Sequence, residues 1–143
     1  MVGFLIAIFS GILMSVQGVF NTGVTKETGL WVSNCWVQFT ALVVCLVGWA
    51  VTGRHSFTAI GDVQPRYLLL GGVMGAFITL TVVKSMASLG PAGAVLFIVV
   101  AQIASAYLIE LIGLFGMERT PFSVRKLIGI GIAIVGILVF QKE

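Results

Sequence analysis

Seven polar side chains interrupt long apolar stretches of this chain: Gln17, Asn21, Asn34, Gln38, Lys84, Gln102 and Glu110. Five of them are carboxamides. An amide is a poor acid–base catalyst, but it donates and accepts hydrogen bonds at once, which suits the holding of a solute. The residue combinations that mark enzymes are missing: there is no Ser-His-Asp set, no GxGxxG after a strand, no HExxH and no pair of carboxylates at a shared spacing. His55, the one histidine, lies in a polar loop with no partner in sequence. Cys35 and Cys45 lie in one apolar segment, about 15 Å apart if it is helical, which is beyond disulfide reach. They read as small buried apolar residues. These patterns argue against an enzyme, call for no cofactor or metal, and point to binding or transport.

The seven residues differ in placement. Gln38 and Gln102 fall near the centres of their segments, at the depth where transporter sites lie. Gln17 falls in the last turns of the first segment, as either an interhelical hydrogen bond or a solute contact. Asn21 and Asn34 fall nearer a membrane surface, where capping or hydration suits an amide. Lys84 lies near the end of the third segment and can snorkel. Glu110 is the one acid within an apolar segment, a costly position that is usually functional, with snorkelling as the alternative. The candidate substrate-binding set is Gln17, Asn21, Gln38, Lys84, Gln102 and Glu110.

The elements that carry these residues are long and apolar. Of the 143 residues, 59% are hydrophobic and 9% charged, whereas a soluble domain carries about 25% charged residues. The mean hydropathy is +1.14. The pattern predicts an all-α membrane protein: one domain of five transmembrane helices over residues 2–20, 30–51, 67–87, 91–115 and 125–141, each near the roughly 20 residues that span a bilayer core. Pro65, Pro91 and Pro121 all fall between segments, and Gly90-Pro91 reads as a helix stop followed by a start. Trp31 and Trp49 flank the second segment like aromatic belts. Arg54, Arg119 and Lys142 fall outside the spans, and Arg125 and Lys126 lie at the edge of the fifth, before its apolar stretch of 127–140. No basic run suggests nucleic acid, so the positive charge reads as membrane topology. Five basic residues lie on the N-terminal side (Arg54, Arg66, Arg119, Arg125, Lys126) against three on the other (Lys26, Lys84, Lys142). A bias this weak suits insertion in both orientations. Small residues at Gly71, Gly72 and Gly75, and at Gly129, Ala133 and Gly136, suggest close helix packing.

The segments GILMSVQGVFNTGV (residues 11–24), LGGVMGAFITL (70–80) and AQIASAYLIELIGLFGMERTPFSVRKLIGIGIAIVGILVF (101–140) resemble the YdcZ family of bacterial inner-membrane proteins, in the drug/metabolite transporter superfamily. The most specific pieces are the Gln17…Asn21 pair and the Gln102…Glu110…Gly113…Gly116 run leading to Pro121 and Arg125. The chain departs from the family pattern at Ala101, where Gly is expected, and at Glu110, where Asp is commoner. The resemblance implies a five-helix half-unit of an inverted-repeat transporter in the bacterial inner membrane. A lone half needs a partner, either a second copy inserted upside down or a homologous half. Related small multidrug transporters carry a glutamate in their first helix; this first span carries Gln17 and no acid.

The implied function is small-solute transport by an antiparallel dimer through alternating access. A different class of protein, a non-transporting membrane subunit that binds and stabilises another membrane protein, is the alternative. Gln17, Gln38 and Gln102 are expected to line the site, with Glu110 and Lys84 tuning its charge or gating it. In depth, Lys84 and Glu110 fall near opposite faces of one subunit, and inverting a second copy brings its Glu110 level with the first copy's Lys84. The expectation is that the two charges meet across such an interface or share one aqueous cavity. Substrate, coupling ion and direction of transport are not encoded in these patterns.

Overall fold

A computed structural model describes residues 1–53 and 55–141. Arg54 and Lys142, both counted above among the flanking charges, lie outside the described residues. All regular structure among the described residues is helical: α1 (Val2–Thr28), α2 (Leu30–Thr52), α3 (Gly71–Ile112) and α4 (Val124–Phe140), with short 3-10 segments at Phe57–Asp62, Arg66–Leu70 and Leu114–Gly116. Three runs are long and apolar enough to cross a membrane: Val2–Thr28, Leu30–Thr52 and the 47-residue Arg66–Ile112. Only 6%, 0% and 6% of their most apolar windows are buried within the chain. Apolar surface this extensive cannot face water and is suited to lipid or to a partner.

Two breaks share one conformation. Gly29 (φ 86°, ψ 161°) separates α1 from α2, and Gly90 (φ 73°, ψ 163°) interrupts α3. This region of backbone space is open essentially to glycine alone. Each break is followed at once by a new helical run, at Leu30 and at Pro91. Gly29 also serves both ladders. Its N–H donates to the Thr25 carbonyl at 2.9 Å, and its carbonyl accepts from the Ser33 N–H at 3.1 Å. The stop-and-start reading of Gly90-Pro91 is thus what the backbone shows, with helical arms at 71–89 and 91–112.

Several boundaries differ from those predicted. The first helix continues eight residues past Phe20. Thr22 and Thr28 return their hydroxyls to the carbonyls of Gly18 and Val24, both at 2.8 Å, so polar residues here cap nothing and the helix runs on. Its last turn consequently holds Lys26 and Glu27. The third run begins in the 3-10 segment Arg66–Leu70 before turning α-helical at Gly71. The fourth ends at Ile112, because Gly113 adopts a left-handed conformation (φ 72°, ψ 39°). The fifth is Val124–Phe140, 17 residues.

The chain divides into two compact units, Met1–Ser88 and Leu89–Glu143. In the first, α1 and α2 pack closely. The Ser33 hydroxyl donates to the Asn21 carbonyl at 3.2 Å, and Asn34 Nδ2 donates to the Ala76 carbonyl at 3.3 Å. The 71–89 arm comes close to α1 at Gly18, where a Cβ would collide with the Met86 thioether. Leu80, Val83 and Met86 form the buried face of the 71–89 arm. Trp49 ties the following loop back to α2, donating Nε1–H to the His55 carbonyl at 2.8 Å, with its ring 4.9 Å from that of Phe57 and tilted 39° to it.

In the second unit, Tyr107 fixes the start of α4. Its hydroxyl accepts from the Ser123 N–H at 2.8 Å and donates to the Ser123 carbonyl at 3.3 Å. Arg119 Nε–H donates to the Ile112 carbonyl at 2.8 Å, placing a cation where the helix dipole favours one. The small residues read as packing sites behave otherwise. Gly71, Gly72, Gly75, Gly129 and Gly136 have open space where a Cβ would stand, so within the chain they hold no neighbour close.

Candidate functional site

The polar residues singled out in the sequence fall into two groups. In the first unit, Gln17 and Asn21 are one turn apart on α1 and line an open groove of about 540 Å³ between α1 and α2. Phe20, Val24, Trp36, Val37, Thr40, Ala41, Val44 and Cys45 complete the lining. The extension of α1 to Thr28 changes the standing of both residues. Gln17 now lies near the middle of the helix instead of in its last turns. Asn21 is no interfacial cap but a buried residue, 9% exposed. Asn34 is likewise buried; its Oδ1 has no hydrogen-bond partner among the described residues, nor has the buried Thr25 hydroxyl.

Gln38 is half-buried on α2 and does not belong to the groove lining. Lys84 is exposed on the 71–89 arm. Gln102 is exposed near the middle of the 91–112 arm. The side-chain amides of Gln17, Asn21, Gln38 and Gln102 enter no hydrogen bond among the described residues. Both cysteines are free, as their spacing predicts, but both are exposed at the chain surface, which corrects their reading as buried core residues.

In the second unit, Glu110 lines an apolar pocket of about 410 Å³ with Val100, Ile103, Ala106, Tyr107, Gly129, Ile130 and Ala133. Lys126 completes the lining. Its Nζ lies 2.8 Å from Glu110 Oε2 and 5.2 Å from the centroid of the Tyr107 ring. Glu110 therefore has a cationic partner inside its own unit. The sequence reading counted Lys126 as a topology charge and gave Tyr107 no role. A usable signal was there: Glu110 stands just before the end of one helix and Lys126 just after the start of the next, so the short connection brings them together. The loop reinforces this, since the Thr120 N–H donates to the Glu110 main-chain carbonyl at 3.0 Å.

Chemically, the first unit offers neutral hydrogen-bonding groups between aromatic walls. The second offers an apolar pocket with a compensated ion pair at its rim. The described residues contain no cluster of His, Cys, Asp or Glu able to hold a metal.

No curated protein and no solved structure matches the chain. A family model of the drug/metabolite transporter type, described as "Putative inner membrane exporter, YdcZ", matches residues 2–139. The match covers nearly the whole chain, and three helical runs are long and apolar enough to span a bilayer. This inner-membrane protein belongs to the YdcZ family.

Proposed function

We propose that the protein transports a small solute across the inner membrane, working as an antiparallel dimer by alternating access. One observation carries the reading. Gln17, Gln38 and Gln102 each stand within one turn of a helix midpoint, yet none of their amides is hydrogen-bonded among the described residues. An unsatisfied amide in hydrocarbon costs several kcal/mol. These side chains therefore need water, a solute or another subunit beside them, and a transport cavity supplies all three.

Five crossings accompany this reading: α1, α2, the two arms of α3 at 71–89 and 91–112, and α4. With 17 residues, α4 is about 25 Å long, somewhat less than the roughly 30 Å hydrocarbon core. Arg125 and Gln141 at its ends make up the difference by reaching the interface. One such single-domain unit is half of an inverted-repeat transporter, and an inverted copy supplies the other half. Gln17, Asn21, Gln38 and Gln102 line the route. Glu110 and Lys84 tune its charge or gate it, with the Glu110–Lys126 pair as the element that opens or closes.

A substrate screen on proteoliposomes tests the proposal. Uptake of at least one solute, lowered tenfold or so by Gln102→Leu (a loss of about 1.4 kcal/mol in the rate-limiting step), is the expected result. Uptake equal to that of empty liposomes for every class of solute would reject transport and favour a subunit that stabilises another membrane protein.

A further inference from the structure

The α1–α2 groove has a property that narrows the substrate. No Asp, Glu, Lys, Arg or His lines it. Its hydrogen-bonding side chains are Gln17, Asn21 and Thr40, with the Trp36 indole N–H and the weakly polar Cys45 thiol beside them. The Thr40 hydroxyl is already engaged, donating to the carbonyls of Trp36 and Val37 at 3.0 Å. Asn21 is the unusual member. The residue as a whole is 9% exposed, it lines the groove, its main-chain carbonyl accepts from the Ser33 hydroxyl, and its carboxamide has no hydrogen-bond partner among the described residues. The carboxamide itself stays accessible, so it is free to hydrogen-bond an occupant of the groove.

We infer that this groove binds an uncharged solute that carries hydrogen-bonding groups on an aromatic or otherwise flat apolar body, held by Asn21 and Gln17 and flanked by Phe20 and Trp36. The inference rests on the transport reading above and names its substrate class. Two carboxamides present N–H donors and carbonyl acceptors together, matching a neutral amide, lactam or nucleobase-like edge. Phe20 and Trp36 offer aromatic faces. A groove of about 540 Å³ falls within the roughly 300–1,000 Å³ typical of small-molecule sites. A cation could gain some attraction over Trp36, but a cation–π contact is worth less than the cost of stripping water from an ion that meets no counter-charge. An anion could accept from the amide N–H groups, but it too meets no counter-charge to offset its loss of water.

The chain carries its own reporter. Cys45 lines the groove, whereas Cys35 is exposed on the same helix and outside the lining. The full-length protein in liposomes is treated with N-ethylmaleimide in the presence of benzamide, benzylammonium or benzoate, three probes of similar shape and charge 0, +1 and −1. Benzamide is expected to slow alkylation of Cys45 about fourfold at roughly three times its dissociation constant, while Cys35 reacts unchanged. Asn21→Leu is expected to abolish the protection. Gln17→Leu, at an exposed position outside the packed core, weakens it and serves if the Asn21 variant does not fold. Protection by benzylammonium or benzoate equal to that by benzamide would overturn the inference. So would a Cys45 that resists alkylation while Cys35 reacts, because the groove would then be sealed by lipid or a second copy. The measurement reads binding alone. Protection without flux of any solute refutes transport and leaves the site standing. Flux of charged solutes only, with no protection by benzamide, refutes the site and leaves transport standing.

Discussion

Lys126 Nζ lies 2.8 Å from Glu110 Oε2, joining the last turn of one helix to the first turn of the next. Both side chains keep more than a third of their surface exposed, 49% and 37%. Pairs this open are worth about 0.2–1 kcal/mol, and the Tyr107 ring beneath Lys126 adds a similar amount. A double-mutant cycle of Glu110→Gln and Lys126→Met, followed by denaturant unfolding in micelles, is expected to give a coupling in that range. Zero coupling would mean that the pair does not persist. The charge swap Glu110→Lys with Lys126→Glu should recover most of what Glu110→Lys alone loses.

This pairing also bears on how Glu110 was placed from sequence. Level with Lys84 of an inverted copy, it had a candidate partner across an interface; inside its own unit it has Lys126. If Lys84 nonetheless needs Glu110, Lys84→Met and Glu110→Gln will be non-additive in transport. If Lys84 only snorkels, their effects on transport multiply independently.

Gly18 and Gly75 form a matched test of packing. A Cβ at Gly18 meets the end of the Met86 side chain, whereas none of the chain lies within 4 Å of a Cβ at Gly75. Methionine is adaptable, and Gly→Ala in a helix gains about 1 kcal/mol of propensity, so Gly18→Ala is expected to be near neutral. Gly18→Leu overpacks the α1–α3 contact and should cost about 1–3 kcal/mol. Gly75→Leu meets no neighbour and should not destabilise the subunit; helix propensity alone would raise its stability by up to about 1 kcal/mol. A Gly75→Leu protein that is intact but loses its dimer in crosslinking would show that a second copy covers that face.

Asn34 tests the buried polar layer. Its Nδ2 donates to Ala76, but its Oδ1 is buried without a partner. A hydrogen bond is worth about 0.5–1.5 kcal/mol, and an unsatisfied buried acceptor costs about 1–3 kcal/mol. The two offset, so Asn34→Leu is expected to change stability by under about 1 kcal/mol in either direction. Asn34→Asp buries a charge and should be far worse. Thermal unfolding of the two variants side by side decides it.

Much of the fold was legible because lipid-facing helices announce themselves by length and apolarity, and because Gly90-Pro91 and Pro121 punctuate them. Helix ends were less legible. The onset of polar residues predicts an end to span one near Phe20, but Asn21, Thr22, Thr25 and Thr28 continue the helix; Thr22 and Thr28 bond their own backbone, and Asn21 is covered by its surroundings. The added turns are what make Gln17 central and Asn21 buried. The glycine stripes have the spacing of close packing, yet within the chain nothing stands where a Cβ would at Gly71, Gly72, Gly75, Gly129 or Gly136, whereas a Cβ at Gly18 meets Met86. The Glu110–Lys126 pair depends on the path of residues 113–123, where Gly113 and Arg119 set the turn, and hydrophobic periodicity carries no trace of that path.

Orientation gives the sharpest test of assembly. The basic residues divide five to three between the two sides, too even to fix one topology. The exposed 3-10 segment Phe57–Asp62 and the α1–α2 junction at Gly29 belong to loops on opposite faces if α2 crosses the membrane. Adding lysines at Thr58 and Gly61 should therefore bias the chain one way, and adding them at Glu27 and Thr28 the other. If an antiparallel dimer is the working unit, each biased variant alone loses transport, and co-expression of the two restores it. Each variant should also show one-sided labelling of a cysteine placed at Glu118 in a Cys35→Ser, Cys45→Ser background, whereas the unbiased chain is labelled from both sides. Full transport by either biased variant alone would exclude the antiparallel arrangement, since every copy in that membrane would point the same way.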